Sequence, residues 1–199
     1  MATTQTLGQI RLWRPWAGKS FILDGPRDGI LEAASQTYKA GELVYWASGL
    51  VTAVTESSNQ VTAPILGQAL KAGANVAAAL TSPKVRIIHP GDVYLANFFH
   101  STPASAVIAQ DNIGTVYGLW KSSTSDRTLG FCYVDGNSVS TVEDGTHALG
   151  RVQVVGIPDS VDGVANAIGD TYGFLLVRFL MYSLASDGNP NQRLLQFCS

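Results

Sequence analysis

Few residues in this chain have the types and spacing that chemistry requires. Its three histidines, His89, His100 and His147, are scattered, and none has a carboxylate or cysteine at the close spacing that builds a zinc or iron site. His89 precedes Pro90-Gly91 and His100 precedes Ser101-Thr102, so both read as loop residues whose ring nitrogens hydrogen-bond locally. The acids Asp24, Asp28, Asp159, Asp162 and Asp170 each adjoin a Gly or Pro. Those are turn positions, and no spacing supports pairing two of them for glycoside hydrolysis. The stretch 159–170 offers Asp159, Asp162, Asn166 and Asp170 as oxygen ligands for calcium, but its spacing departs from the EF-hand. There is no Gly-x-Ser-x-Gly elbow and no phosphate-cradling glycine loop. We therefore expect no enzymatic activity, no metal and no cofactor.

The chemistry that remains is that of binding. Arg11, Trp13, Arg14 and Trp16 place two indoles and two guanidinium groups within six residues. Trp and Arg carry a large share of binding energy at protein interfaces. The segment predicts an arm that lies on another surface, with these four residues as partner contacts. The alternative is that both indoles fold back on the chain's own barrel.

Composition narrows the partners. The chain has 199 residues, 46% hydrophobic and only 14% charged, with 20 Gly. That is long enough for a real core, with a charged share below the usual quarter. Thirteen Lys and Arg against 15 Asp and Glu leave a net charge of −2, so there is no basic footprint for nucleic acid or an anionic membrane. Cys132 and Cys198 are too few for a disulfide framework and lack metal-site spacing. The N-terminus has no apolar signal core, and no apolar run approaches about 20 residues. These features predict a protein kept in the cytosol or released from it.

The elements that must position these residues are extended. Val85, Ile87 and Ile88, then Val93, Leu95, Phe98 and Phe99, flank Pro90-Gly91-Asp92, which predicts strand, tight turn, strand. Thr102-Pro103 starts a short helix that Asp111-Asn112 and Gly114 stop, and 115–120 is extended again. Leu43 to Val54, turning at Ala47-Ser48-Gly49, is a hairpin, and Ile65 to Leu70 is a strand. Phe21 to Leu23 is a short apolar run, and Ile30 to Tyr38 reads as extended. Glu56 to Thr62 and Lys121 to Thr128 read as polar loops, and the Ala-rich 72–80 is ambiguous. Leu129 to Val134 is a strand ended by a strong turn at Asp135-Gly136-Asn137, with exposed residues from Ser138 to Gly145. Arg151 to Gly156 is a Val-rich strand. Tyr172 to Leu184 is the longest apolar run, expected to be buried on both faces or to meet a partner subunit.

Eight to eleven short strands with almost no periodic helix predict an all-β fold, a barrel or sandwich of short antiparallel strands with at most one or two short helices and an extended N-terminal arm. We divide the chain into an arm, 1–20, and a β-rich domain, 21–199, which two halves meeting near 80–85 would subdivide.

Three stretches carry a family resemblance: Ser35-Gln36-Thr37-Tyr38-Lys39-Ala40-Gly41-Glu42-Leu43-Val44-Tyr45; Gly49-Leu50-Val51; and Ile65 to Leu70. Val85 to Tyr94, Asn97 to Thr102, Gly114 to Leu119 and Tyr133-Val134-Asp135 extend it, so that it covers roughly 35 to 180. Together they resemble the capsid decoration (cement) proteins of tailed bacteriophages. The resemblance implies a β-rich structural virion protein on the outer surface of an icosahedral head. It would be a homotrimer that binds neighbouring major capsid subunits and be made in the host cytoplasm. The arm at Arg11 to Trp16 departs from the smallest proteins of that kind. A different class stays open: a carbohydrate-binding head-fibre or receptor-binding β-barrel, with Trp46 and Trp120 stacking on sugar or, alternatively, serving as core strand residues.

Overall fold

The computed structural model describes residues 2–54, 56–57, 60–61, 65–77, 82–121, 131–140 and 151–180. Its strands, in chain order, are β1 (Arg11–Arg14), β2 (Ile22–Asp24), β3 (Leu43–Ala47), β4 (Leu50–Ala53), β5 (Glu56–Ser57), β6 (Gln60–Val61), β7 (Gly67–Ala69) and β8 (Lys84–Ile87). There follow β9 (Val93–Phe99), β10 (Val116–Lys121), β11 (Cys132–Ser140), β12 (Val152–Gly156), β13 (Ser160–Val161), β14 (Val164–Ala165) and β15 (Phe174–Phe179). Among the described residues helix is confined to one α turn, α1 (Gly25–Asp28), and three 3₁₀ turns. The fold is all-β, as the strand-rich composition predicts.

Five strands close a barrel in the order β9, β15, β12, β10, β11, with β11 returning to β9 in parallel through Val134↔Phe98 and Asp135↔Phe99. A barrel this small is filled by its own side chains. Alternate residues of each strand point inward: Tyr94, Ala96 and Phe98 from β9, Tyr117 and Leu119 from β10, Cys132 and Val134 from β11. Val152 and Val154 from β12 and Leu175, Val177 and Phe179 from β15 complete the core. Tyr94 meets Phe179 edge-on with centroids 5.2 Å apart, and Phe98 meets Tyr117 at 5.5 Å, a packing that adds to the burial of the rings.

The second sheet, β2-β8-β7-β3-β4, is antiparallel throughout. It carries its own core of Ile30, Tyr38, Val44, Val51, Ala69 and Val85. Leu43, Val54, Ile65 and Ile88 instead join the barrel core. A largely buried pair reinforces that joint: Lys121 Nζ lies 4.0 Å from Glu42 and donates to the Val54 carbonyl at 3.0 Å.

Several local expectations are corrected. Val85 to Phe99 is indeed strand, turn, strand, but β8 and β9 lie in different sheets, so the turn at 89–92 transfers the chain from one to the other. Ile30 to Tyr38 forms no strand. Glu32 makes only an isolated bridge to Val51, flanked by hydrogen bonds from Ala33 N and to Leu31 O that cap the edge of β4. Its side chain is buried instead, accepting from the Tyr38 hydroxyl and from Ala74 N. The helix expected after Thr102 is split into 3₁₀ turns at Pro103–Ser105 and Gln110–Asn112, because Val107 pairs with Thr171 between them. Part of the loop expected at 56–62 is the short ladder of β5 and β6. The turn expected at Asp135-Gly136-Asn137 is no turn, since β11 runs through it.

From Tyr117↔Val139 to Gly118↔Asp135, β10 advances one residue while β11 advances four. Gly136, Asn137 and Ser138 are therefore extra and form a bulge. The fully buried Asp135 carboxylate holds it, accepting from Asn137 N and Nδ2 at 2.9 Å and from Ser138 Oγ at 2.5 Å. A β-carbon at Gly136 would lie 2.6 Å from the Phe98 ring and 3.0 Å from the Phe99 carbonyl, so the close approach of the bulge requires glycine there. Ser138 is buried, not exposed.

The last corrected strand is β15, which alternates. Leu175, Val177 and Phe179 are buried, Phe174 and Leu176 are partly covered and Arg178 is exposed. One face is in the core rather than both, because β15 is a member of a closed barrel wall. The loop expected at 122–128 and the residues of the last run from Met181 onward lie outside the described residues.

Candidate interaction surface

Several of the residues singled out for chemistry are occupied in holding backbone. His89 Nδ1 accepts from Gly91 N and His100 Nδ1 from Thr102 N, each at 3.0 Å, the local hydrogen bonding expected of them. His147 and Cys198 lie outside the described residues, and Cys132 is a buried thiol of the barrel core. Asn166 donates to the Pro158 and Phe174 carbonyls and accepts from Phe174 N. Among the described residues no three His, Cys, Asp or Glu side chains group to hold a metal ion. No helix among them is long and apolar enough to cross a membrane.

Asp170 ties down the start of the chain. Its carboxylate accepts from Thr3 N at 2.6 Å, Ala167 N at 2.9 Å and Gln5 Nε2 at 3.1 Å. Burial opposes its ionisation, but these donors outweigh burial and bring it down from the ordinary 3.8 to about 2. A carboxyl depressed on folding contributes stability that is complete above its unfolded value and lost as pH falls through the folded one. Asp170→Asn is therefore expected to flatten the fall in urea midpoint between about pH 4 and pH 2. At neutral pH it should cost about 1–2 kcal/mol, because an amide NH₂ then faces backbone donors. Amide exchange of residues 2–5 should rise in step.

From there the chain runs over β9 and enters β1, which pairs antiparallel with it: Arg11↔Leu95, Leu12↔Tyr94, Arg14↔Val93. Between the last two pairs Trp13 is an extra residue, so a bulge interrupts the alternation of faces. Leu12 packs on the barrel core, while Arg11, Trp13 and Arg14 all face outward. Thus the arm's backbone lies on its own barrel and its four expected contact residues do not fold back into it. Trp13 is 47% exposed and Trp16 59%.

Three contacts fix the segment after β1. Trp16 N donates to Asp92 Oδ1 at 2.7 Å, while the other Asp92 oxygen accepts from His89 N at 3.0 Å. Asp92 is buried, so one carboxylate clamps both the arm and the turn between the sheets. The Trp16 indole stacks on His89 with centroids 5.7 Å apart and planes 16° apart. It also covers Gly91, where a β-carbon would sit 2.4 Å from Trp16 Cε3. Phe21, 59% exposed, then leads into β2, its carbonyl accepting from Ile87 N at 2.8 Å. Gly91→Ala should displace the indole, with a red shift and loss of tryptophan emission. The stability loss should stay near 1 kcal/mol, because the atom in the way belongs to a half-exposed side chain.

The segment 13–21, the ridge, thus exposes Trp13, Trp16 and Phe21, with the exposed Arg14 and Lys19 between them in the chain. Arg11 pairs with Asp162 at 2.5 Å, a solvent-exposed contact of small energetic weight. Arg14 and Lys19 have no carboxylate in ion-pair reach among the described residues. Phe21 and the Asp92 clamp escaped the sequence reading. Phe21 opens an apolar run and gave no sign of facing outward, and Asp92 was read as turn chemistry alone. Trp46 packs against the core of the second sheet, and Trp120 leans on Phe99 with centroids 5.3 Å apart. Comparison of the chain with family models, with curated proteins and with solved structures finds no match in any of the three.

Proposed function

We propose that the chain is a structural virion protein, not an enzyme. In this reading it decorates and stabilises an icosahedral phage head as a homotrimer that binds neighbouring major capsid subunits on the outer surface. The resemblance over roughly 35 to 180 supports the reading. The observation that carries it is the ridge: two indoles and a phenyl ring held in water on a backbone pinned to β9, Asp92 and β8. Large aromatic side chains kept rigid and exposed are what a protein–protein contact uses. A protein that binds only the assembled lattice stabilises it by linkage, without any chemical step.

Light scattering on the purified protein, followed by co-sedimentation with empty, expanded heads that lack it, tests this. A trimer that sediments with heads and raises their melting temperature is expected. A monomer that ignores heads would overturn the reading. A positive glycan array would then bring forward the carbohydrate-binding barrel, with Trp16 in place of the covered Trp46.

A further inference from the structure

We propose that the ridge takes an acidic polypeptide segment of its partner, with Arg14 and Lys19 on the segment's carboxylates and Trp13, Trp16 and Phe21 over its apolar side chains. The inference rests on the head-binding reading for who the partner is, and on the ridge alone for the partner's chemistry.

The charge pattern carries it. The chain as a whole is negative, at −2. Yet among the described residues the charges left over on the ridge are positive, because Asp92, Asp162 and Asp24 are engaged. Asp92 is buried under the arm, Asp162 is on Arg11 and Asp24 is 3.4 Å from Lys84. Exposed cations beside exposed aromatics favour a segment that alternates carboxylates with apolar side chains, and the complementarity steers encounter as well as register. The ridge is also preorganised. β1 is hydrogen-bonded to β9 and Trp16 is held at both backbone and ring, so little ordering remains for binding to supply. Phosphate would satisfy the same cations, but two of them on a negative chain are far short of the basic stripe that nucleic acid requires.

The test titrates the full-length protein with a capped peptide of six Glu-Val repeats and, in parallel, with six Lys-Val repeats and a ten-nucleotide oligothymidylate. Tryptophan emission is followed at low and at physiological salt. Saturable binding of the acidic peptide is expected, weakening as salt rises. It should weaken at least about tenfold further in the Arg14→Glu/Lys19→Glu variant. The milder Arg14→Gln/Lys19→Gln variant should show a smaller loss in the same direction, and both should keep the wild-type melting temperature. No saturable response to the acidic peptide, equal responses to both peptides, or an unchanged response in the charge-reversed variant would overturn the proposal. So would tighter binding of the oligothymidylate. The two readings fail separately: sedimentation with heads without peptide binding removes this inference alone, whereas peptide binding without sedimentation removes the capsid assignment alone.

Discussion

Replacing Trp13 and Trp16 together by alanine is expected to weaken binding to empty, expanded heads by about a hundredfold or more, at an almost unchanged melting temperature. Interface tryptophans in well-packed contacts cost about 2 kcal/mol each when truncated, and about 1.4 kcal/mol is tenfold in affinity. The fold should barely respond, because neither indole belongs to a core cluster and both are about half exposed. The features that position the segment also survive truncation. The Trp16 N–H still reaches Asp92, and Leu12 still packs on the barrel. Each single variant should lose about half of the total in free energy, unless the two rings fill one pocket on the partner, in which case a double-mutant cycle would expose the coupling. Head binding within threefold of wild type, on the order of 0.6 kcal/mol, would show that the ridge is not the contact surface.

The largest loss of stability is expected at Asp135. Asp135→Ala should cost about 3–5 kcal/mol, since it removes the fully buried carboxylate that accepts from Asn137 N, Asn137 Nδ2 and the buried Ser138 Oγ in the barrel wall. For a chain of this length that corresponds to a fall in melting temperature on the order of 10 °C. The location makes it costly. The bulge interrupts the pairing of β11 with β10, which continues on both sides of it, and Asp135 at its edge faces Phe99 across the parallel closure, so its collapse would loosen the barrel seam. Asp135→Asn keeps one acceptor and should recover part of the loss. Ser138→Ala removes one hydrogen bond and should cost about 1 kcal/mol. Chemical denaturation of the three variants checks the ordering, and an alanine variant within 1 kcal/mol of wild type would mean that the bulge holds without its carboxylate.

The two predictions separate two jobs done by buried acids and exposed aromatics. Asp92, Asp135 and Asp170 are carboxylates buried among backbone donors, each fixing an irregular stretch that the strand ladders leave unsatisfied. A buried carboxylate is tolerable only when such donors surround it. Of the three, Asp92 holds the backbone of Trp16, so that this ring can stay in water on a fixed support. On this account the ridge is the joint product of pairing with the sheets at β9 and β8 and of the irregular clamp at Asp92.

The strand content was legible in the sequence, and so were the longer extended segments, though not the absence of a strand at Ile30 to Tyr38. Leu43 to Ala53 is a hairpin because two β-branched and aromatic runs flank Ser48-Gly49, and β9, β10, β12 and β15 fall where apolar residues concentrate. The four arm residues were legible as well, since Trp and Arg at such density stand out in any context. What the sequence did not reveal is everything that depends on a distant partner. The turn at 89–92 has the chemistry of a hairpin, yet β8 finds its neighbours in β7 and β2 while β9 finds its own in β15, β1 and β11. Asp135-Gly136-Asn137 has the chemistry of a turn, but strands on either side of β11 hold it extended and convert the same residues into a bulge. Whether the arm would lie on its own barrel or project its side chains outward had no local answer. It does both, because pairing with β9 takes the backbone, strand alternation turns Trp13 away from the barrel, and the extra residue brings Arg14 to the outside as well. Local composition alone determined the propensity for strand and the presence of a Trp- and Arg-rich segment. Sheet membership, register and the side chain that each bulge exposes were decided by tertiary pairing, since those depend on hydrogen-bond partners far along the chain.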